Sequence, residues 1–451
     1  MRVAIARLVL VVAVFAAPWA PAAAADVQRV VSPGGVEAWL IEDRMVPVLS
    51  LRMLFQGGAA LDPPGREGTA GMAAALLDEG AGELDSQAFQ KRLADLSISL
   101  GFSAGRDSFG GSLRTLTENR DEAFRLLATA LTEARFDEEP VRRVRDQIRT
   151  GLARRAVDPG WIASRTLAEL LFEGHPYARS ADGTLESIDG IAVDDLRRFV
   201  SERLARDNLI VGVAGDISAE ELAPLLDVAF GGLPASAGVF EVPEAVLANP
   251  GQTVVVERPV PQSVVLFAHG GIPREDPDWY AAQIVNHVLG GGSFSSRLME
   301  EIREKRGLAY GVSTSVVPYD RASLVTGQVA TQNARVAESV DLVRSEWRRL
   351  AEQGPSEEEL ADARTFLIGS FPISLDSTSA IAATLVAMQR YDLGRDHLDR
   401  RAGYFEAVTA EEARRVARRL LDPEALTFVV VGQPVGIEPT RAPPPDRPGP
   451  G

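Results

Sequence analysis

The chain has 451 residues and 45% hydrophobic content, more than one compact core accommodates, so two domains are the first expectation. A formal charge of −16 argues against nucleic acid as a ligand, because that affinity comes largely from neutralised phosphates. The absence of cysteine excludes disulfides and a lipid-bearing cysteine, and leaves packing to supply stability.

In chain order, Arg2 and Arg7 precede an apolar run over 8–17 and a Pro/Ala-rich segment ending at Ala25. This is the three-part pattern of a secretory leader, 1–25, and it predicts an exported, periplasmic protein of the bacterial cell envelope. The run is shorter than the ~20 apolar residues that span a bilayer, and no second candidate follows, so no integral membrane span is expected. Lysine is confined to Lys91 and Lys305, a bias that fits GC-rich bacterial coding.

The strand "VPVLSLRMLFQ" leads into a helix within "GREGTAGMAAALLDEGAG", residues 65–82. Between Gly71 and Leu77 that helix carries no group able to bind a metal, move a proton or attack a carbonyl. A strand pair, "SISLGFSAGRDSFGGSLRTL", breaks around 105–107. Two amphipathic helices follow, with Phe124, Leu127 and Leu131 on one face of the first. A hydrophobic strand at 209–213 closes the module, and 237–251 has a linker's composition.

The same order then recurs: strand "SVVLFAHGG", helix "WYAAQIVNHVLG", and a helix marked by Val340, Val343 and Trp347. Ser356 and Glu359 open the next helix with capping-box spacing, and a strand at 426–431 ends the copy. Three echoes support a duplication at nearly constant offset: "FQGG" with "AHGG", "RTLTEN" with "QVATQN", and "LARDNLIVGVAG" with "LDPEALTFVVVG". The expected fold is α+β, with two homologous halves, 26–236 and 252–436, each an antiparallel sheet packed by helices. Residues 437–451 are too rich in proline to pack and are expected to be disordered.

Few residues offer chemistry. "GFSAG", 101–105, matches the G-x-S-x-G pattern, but a nucleophile elbow needs a strand turning into a helix, and here a second strand follows Ser103. His175, His269, His287 and His397 have no ligand spacing. Asp78 and Glu79, at the end of the opening helix, lack histidine partners, so no metal site is expected in this chain. The segment "LGGGSFSSRLMEEIREKRGLAYG", 289–311, is richer. Gly290, Gly291 and Gly292 make a flexible or tight turn, and Ser295 or Ser296 can cap a helix with Leu298 and Ile302 facing inward. Arg303 then falls in the last helical turn and Tyr310 just beyond Gly307, able to aim a guanidinium and a phenol at one point.

With these segments in place, the chain resembles the pitrilysin/insulinase superfamily of zinc metallopeptidases, in its processing-peptidase-like branch. The resemblance rests on the duplicated halves, on "GTAGMAAALLDEGAG", and on "GGGSFSSRLMEEIREKRGLAYG". In such peptidases the first segment carries the zinc motif H-x-x-E-H. Matching the lead-in sets that motif on Gly71, Met72, Ala73, Ala74 and Ala75, so the two histidine positions are Gly71 and Ala75 and the general-base position is Ala74. The resemblance therefore implies no cofactor in this chain and zinc in a homologous partner chain. It assigns Arg303 and Tyr310 to substrate-backbone and oxyanion contacts made in trans, Gly290–Gly292 to substrate guidance, and a clamshell around peptide substrates to the assembly. The alternatives are a non-catalytic binding or assembly protein of the same fold, and a serine hydrolase using Ser103.

Overall fold

The computed structural model describes residues 26–444. The expected leader, 1–25, lies outside the described residues, as does the end of the proline-rich tail, 445–451.

Two sheets carry the two halves. The first has six strands in the order Gln28–Val31, Glu37–Glu42, Leu209–Gly215, Val48–Gln56, Ser108–Leu116 and Ser99–Ala104. The second has five, in the order Thr253–Glu257, Thr427–Gly432, Gln262–Gly270, Ala322–Gln332 and Ala309–Tyr319. Apart from the extra edge strand of the first, the order is the same in both. Each sheet is antiparallel except for one parallel pair, Glu37–Glu42 with Leu209–Gly215 and Thr253–Glu257 with Thr427–Gly432. That pair joins an early strand of each half to its last one.

The expected helices form for the reasons their sequences give. Phe124, Leu127 and Leu131 are buried along Arg120–Thr132, and Val340, Val343 and Trp347 along Val336–Gln353. Ser356 and Glu359 close a reciprocal capping box before Glu357–Gly369. The opening helix is shorter than expected, Thr69–Ala74, because Leu76, Leu77 and Asp78 already belong to turns. Asp78 and Glu79 therefore follow the helix rather than end it.

Pairing registers correct the sequence echoes. Leu49 pairs with Thr115 and Gly215, whereas Ser263 pairs with Thr331. A Cβ on Gly432 would meet Ser263. Gly215 therefore corresponds to Gly432, as the third echo has it, but Thr115 corresponds to Thr331 and Phe55 to His269. The first echo is slipped by a single residue, which in a strand exchanges the two faces. The duplication itself stands.

Each sheet packs one face against helices of its own half: Leu51, Met53 and Phe55 face one core, Val265 and Phe267 the other. The opposite face is covered by a helix from the other half, an exchange the sequence reading missed. Helix Pro159–Leu171 lies on Gln262–Gly270 and Thr427–Gly432, so that Ile162, Ala163 and Leu170 share a core with Val254, Ala268 and Val429. Reciprocally, Thr378–Arg390 crosses Leu209–Gly215 and Val48–Gln56. Its backbone comes so close that a Cβ on Gly212 would stand 2.4 Å from the Ala382 carbonyl, and Gln389 Nε2 donates to the Val211 carbonyl at 2.8 Å.

The connection 237–251 has no regular structure, as its composition implies, yet it is pinned by Gly238 N to Glu202 O and Ala248 N to Leu171 O. Disorder from 437 onward is corrected as far as Pro444: Thr440 N donates to Thr253 O at 2.8 Å, and the Arg441 guanidinium reaches Glu173. The proline-rich run leaves Thr440 and Arg441 free to extend the adjacent sheet edge.

Candidate functional site

Helix Thr69–Ala74 starts on Gly68, and the Asp62 carboxylate accepts from Gly68 N at 2.9 Å and Ala70 N at 3.2 Å. Burial drives the Asp62 carboxyl up to about 7, against those two backbone donors and the nearby Arg203 and Arg179. Thr69, Ala70, Met72, Ala73 and Ala74 are buried, whereas Gly71 is partly exposed and Ala75 exposed. A Cβ on Gly71 would touch nothing within 4 Å. The two positions matched to histidine thus share one outward face, and neither bears a side chain that could ligate.

Asp78 and Glu79 are occupied by structure. Glu79 takes the Arg143 guanidinium at 2.6 Å, and burial raises the Asp78 carboxyl. Among the described residues no group of three or more His, Asp or Glu side chains converges on a point.

The four histidines are structural as well. His269 Nε2 accepts the Trp347 indole N–H at 2.8 Å while its Nδ1 is 2.6 Å from the Gly270 carbonyl. Burial holds it neutral. His175 Nδ1 accepts from Tyr177 N, His287 packs on Phe366, and His397 stacks on Tyr404. Ser103 pairs with Gly110 inside the hairpin Ser99–Ala104/Ser108–Leu116, so it has no elbow.

The counterpart in the second half is different. Helix Trp279–Asn286 runs directly into a π-helical stretch, His287–Gly291. Of the flexible or tight turn expected at Gly290–Gly292, the structure shows the tight arrangement: Gly290 is buried in that stretch, and a Cβ on it would lie 2.7 Å from Thr314 Oγ1. These glycines permit close packing rather than motion. Ser296 is the extended residue ahead of the next helical segment, but its hydroxyl donates to Ser293 O instead of capping.

Leu298 and Ile302 are fully buried as expected, which turns Arg303 outward in the last turn of Met299–Glu304. Gly307, at φ 59°, then reverses the chain into edge strand Ala309–Tyr319. The consequence is convergence. The Arg303 guanidinium lies 5.2 Å from the Tyr310 ring centroid and 4.5 Å from that of Phe294, a stacked cation. Tyr310 is 90% exposed, and its hydroxyl has no partner among the described residues. Phe294, 65% exposed, escaped the sequence reading; its only signal is an aromatic side chain standing alone among glycines and serines.

These three side chains, with Gly290 and Gly291, line a cavity of about 790 Å³. Its far wall is the start of the exchanged helix Pro159–Leu171, contributed by the other half. The site is therefore assembled from both halves of one chain.

A duplicated α+β scaffold with a ligand-free motif helix in one half and a stacked arginine–tyrosine pair in the other defines a metallopeptidase-type protein without the means to hold zinc at that helix. Residues 190–367 match the family described as peptidase M16 inactive domain. The chain is 30% identical to a protein named non-peptidase homolog YmxG of Helicobacter pylori, over 75% of this chain and 78% of that one. An uncharacterized zinc protease of Streptomyces coelicolor is 27% identical over 68% of each. A solved structure from Pseudomonas fluorescens, described as a peptidase M16 inactive domain, superposes with a TM-score of 0.85 at 29% identity, covering 92% of this chain and 99% of that one. The chain belongs to the M16 peptidase family, the pitrilysin/insulinase group its sequence resembles.

Proposed function

We propose that this protein is the zinc-less subunit of a two-chain peptidase of the bacterial envelope, holding substrate for a zinc-bearing homologous partner. The observation that carries the reading is the Arg303–Tyr310 pair, preorganised beside a cavity in a chain whose motif helix bears no ligands. The relative named a non-peptidase homolog supports the same reading.

The partner's zinc would supply the activated water. This chain's part is electrostatic. When an amide carbonyl is attacked, charge develops on its oxygen, and a phenol already in place donates to that charge without reorganisation. Tyr310 offers an unpartnered hydroxyl for this purpose. Arg303, packed against two rings, presents several N–H donors to neighbouring peptide carbonyls and fixes their register.

Reconstitution with the zinc-bearing partner tests the assignment. Tyr310→Phe and Arg303→Ala are expected to lower kcat about 10²–10³-fold, the cost typical of removing one oxyanion donor, with assembly intact. Full turnover in both variants would leave only a binding or assembly role. Chelator-sensitive peptide hydrolysis by this chain alone would refute the division of labour.

A further inference from the structure

The register of the two sheets matches the floor of the Arg303–Tyr310 cavity to an equivalent surface in the first half. Val264 pairs with Ala330 and both line the Arg303–Tyr310 cavity. Their counterparts in the first half are Ser50 and Arg114, which pair with each other. The next residue on that face of the strand, Arg52, pairs with Ser112 and corresponds to Leu266. Where this sheet face carries Leu266 and Ala330 in one half, it carries two guanidiniums in the other.

Strand alternation fixes their direction. Leu51 and Met53, and Leu113 on the neighbouring strand, enter the core, so Ser50, Arg52, Ser112 and Arg114 stand on the opposite face. The exchanged helix Thr378–Arg390 covers that face chiefly over Leu209–Gly215 and Val48–Gln56, so that Arg52, on the second of these strands, is half-buried at the margin of the cover while Arg114 is exposed. It starts beside Ser50, whose hydroxyl lies 2.8 Å from that of Thr378. The outer strands Ser108–Leu116 and Ser99–Ala104 remain open, and there Gly101, Ser103, Gly110 and Ser112 leave room above the sheet. Helix Thr69–Ala74 packs at the same edge.

Arg52 and Arg114 are diagonal neighbours on adjacent strands, roughly 7–8 Å apart and somewhat less at Cβ. Neither has an ion-pair or hydrogen-bond partner among the described residues. Like charges so placed repel, and an anion between them removes the repulsion while giving each guanidinium its acceptor. In a chain of net charge −16, this unpaired cationic couple stands out.

We infer that the margin where the exchanged helix gives way to the open sheet face of the first half is a subsite for a peptide carboxylate, held between the half-buried Arg52 and the exposed Arg114. The inference rests on the peptide-holding reading above and names what that reading lacks, a preference within the substrate. A side-chain carboxylate and a chain-terminal one satisfy the same geometry.

Three labelled peptides of one length, titrated onto the purified chain by fluorescence anisotropy, test it: neutral with an amidated end, the same with two glutamates, and neutral with a free C-terminus. At least one carboxylate-bearing peptide is expected to bind about tenfold tighter than the neutral amide, the gain of a pair of exposed charge contacts. Which one does so identifies the source. Arg52→Gln/Arg114→Gln is expected to abolish that advantage, as is added salt. The exposed single variant Arg114→Gln is expected to reduce it without altering thermal stability. Equal binding of all three peptides, or a preference that survives the double variant, overturns the inference. Cleavage of the neutral amide by the reconstituted complex depends on Arg303 and Tyr310 but not on Arg52 and Arg114, so the two readings fail separately.

Discussion

Helix Thr69–Ala74 and helix Trp279–Asn286 are the same element of the two halves, and they have been put to opposite uses. Each follows a central strand and each packs its apolar side inward. The first shows solvent only Gly71 and Ala75. The second leads into the packed turns that present Arg303 and Tyr310. The difference teaches that this scaffold is held by the buried side of its helices, while the outward side is free to gain or lose chemistry. A buried aspartate meets the start of each helix, Asp62 from upstream of Gly68 and Asp278 immediately before Trp279, and even these diverge. Asp62 is buried against backbone donors and has its carboxyl pushed up to about 7. Asp278 faces Arg415 at 2.6 Å and Arg419 at 2.5 Å, whose hydrogen bonds lower it to about 2.

That contrast gives the largest expected effect. A carboxyl raised in the fold stabilises it most below its unfolded pKa and loses that contribution as pH rises through the folded value. Protection around Thr69–Ala74 in hydrogen exchange is expected to fall between pH 4 and 7, by as much as ~4 kcal/mol, and Asp62→Asn is expected to flatten the trend. Asp278 acts in the reverse sense: its contribution is present above pH 4 and is lost as pH falls toward 2, by roughly 2 kcal/mol. Parallel pH trends in the two segments would erase the distinction.

Packing sharpens the comparison next. Gly290→Ala is expected to destabilise the fold by ~1–3 kcal/mol, because Thr314 must yield. Denaturant midpoints measure this, and an unchanged midpoint would restore the flexible loop. Phe294→Ala removes one of the two rings against Arg303. With the partner present it is expected to raise the barrier by ~0.5–1 kcal/mol, read as a few-fold drop in turnover that Phe294→Tyr rescues. Smallest, and of opposite sign, is Gly71→Ala. With nothing near its Cβ, helix propensity alone acts, and a gain of ~0.5–1 kcal/mol in stability is expected.

Much of the site was legible because its signals are local. Arg303 and Tyr310 are joined by a helix end and a glycine, so their convergence follows from spacing, and the emptiness of 71–75 needs no tertiary contact to be seen. Phe294 was not legible, since its value lies in meeting a guanidinium whose position depends on how its own turn, Ser293–Ser295, packs against Met299–Glu304. The sequence leaves the glycines of 290–292 open between a flexible and a tight turn, because turn flexibility and close approach select the same residue. Their difference lies in Thr314 and Asn286, which would meet a Cβ there.

The sequence by itself determined the duplication, the order of strands and helices in each half, and the loss of the zinc motif. Each of these is written in periodicity, capping and residue identity within one segment. Only the tertiary structure decided the strand registers, the helix exchanged by each half, and the faces on which Arg52 and Arg114 stand. Those depend on which surfaces meet across ~200 residues of chain, and apolar burial, being non-directional, does not encode its own partner.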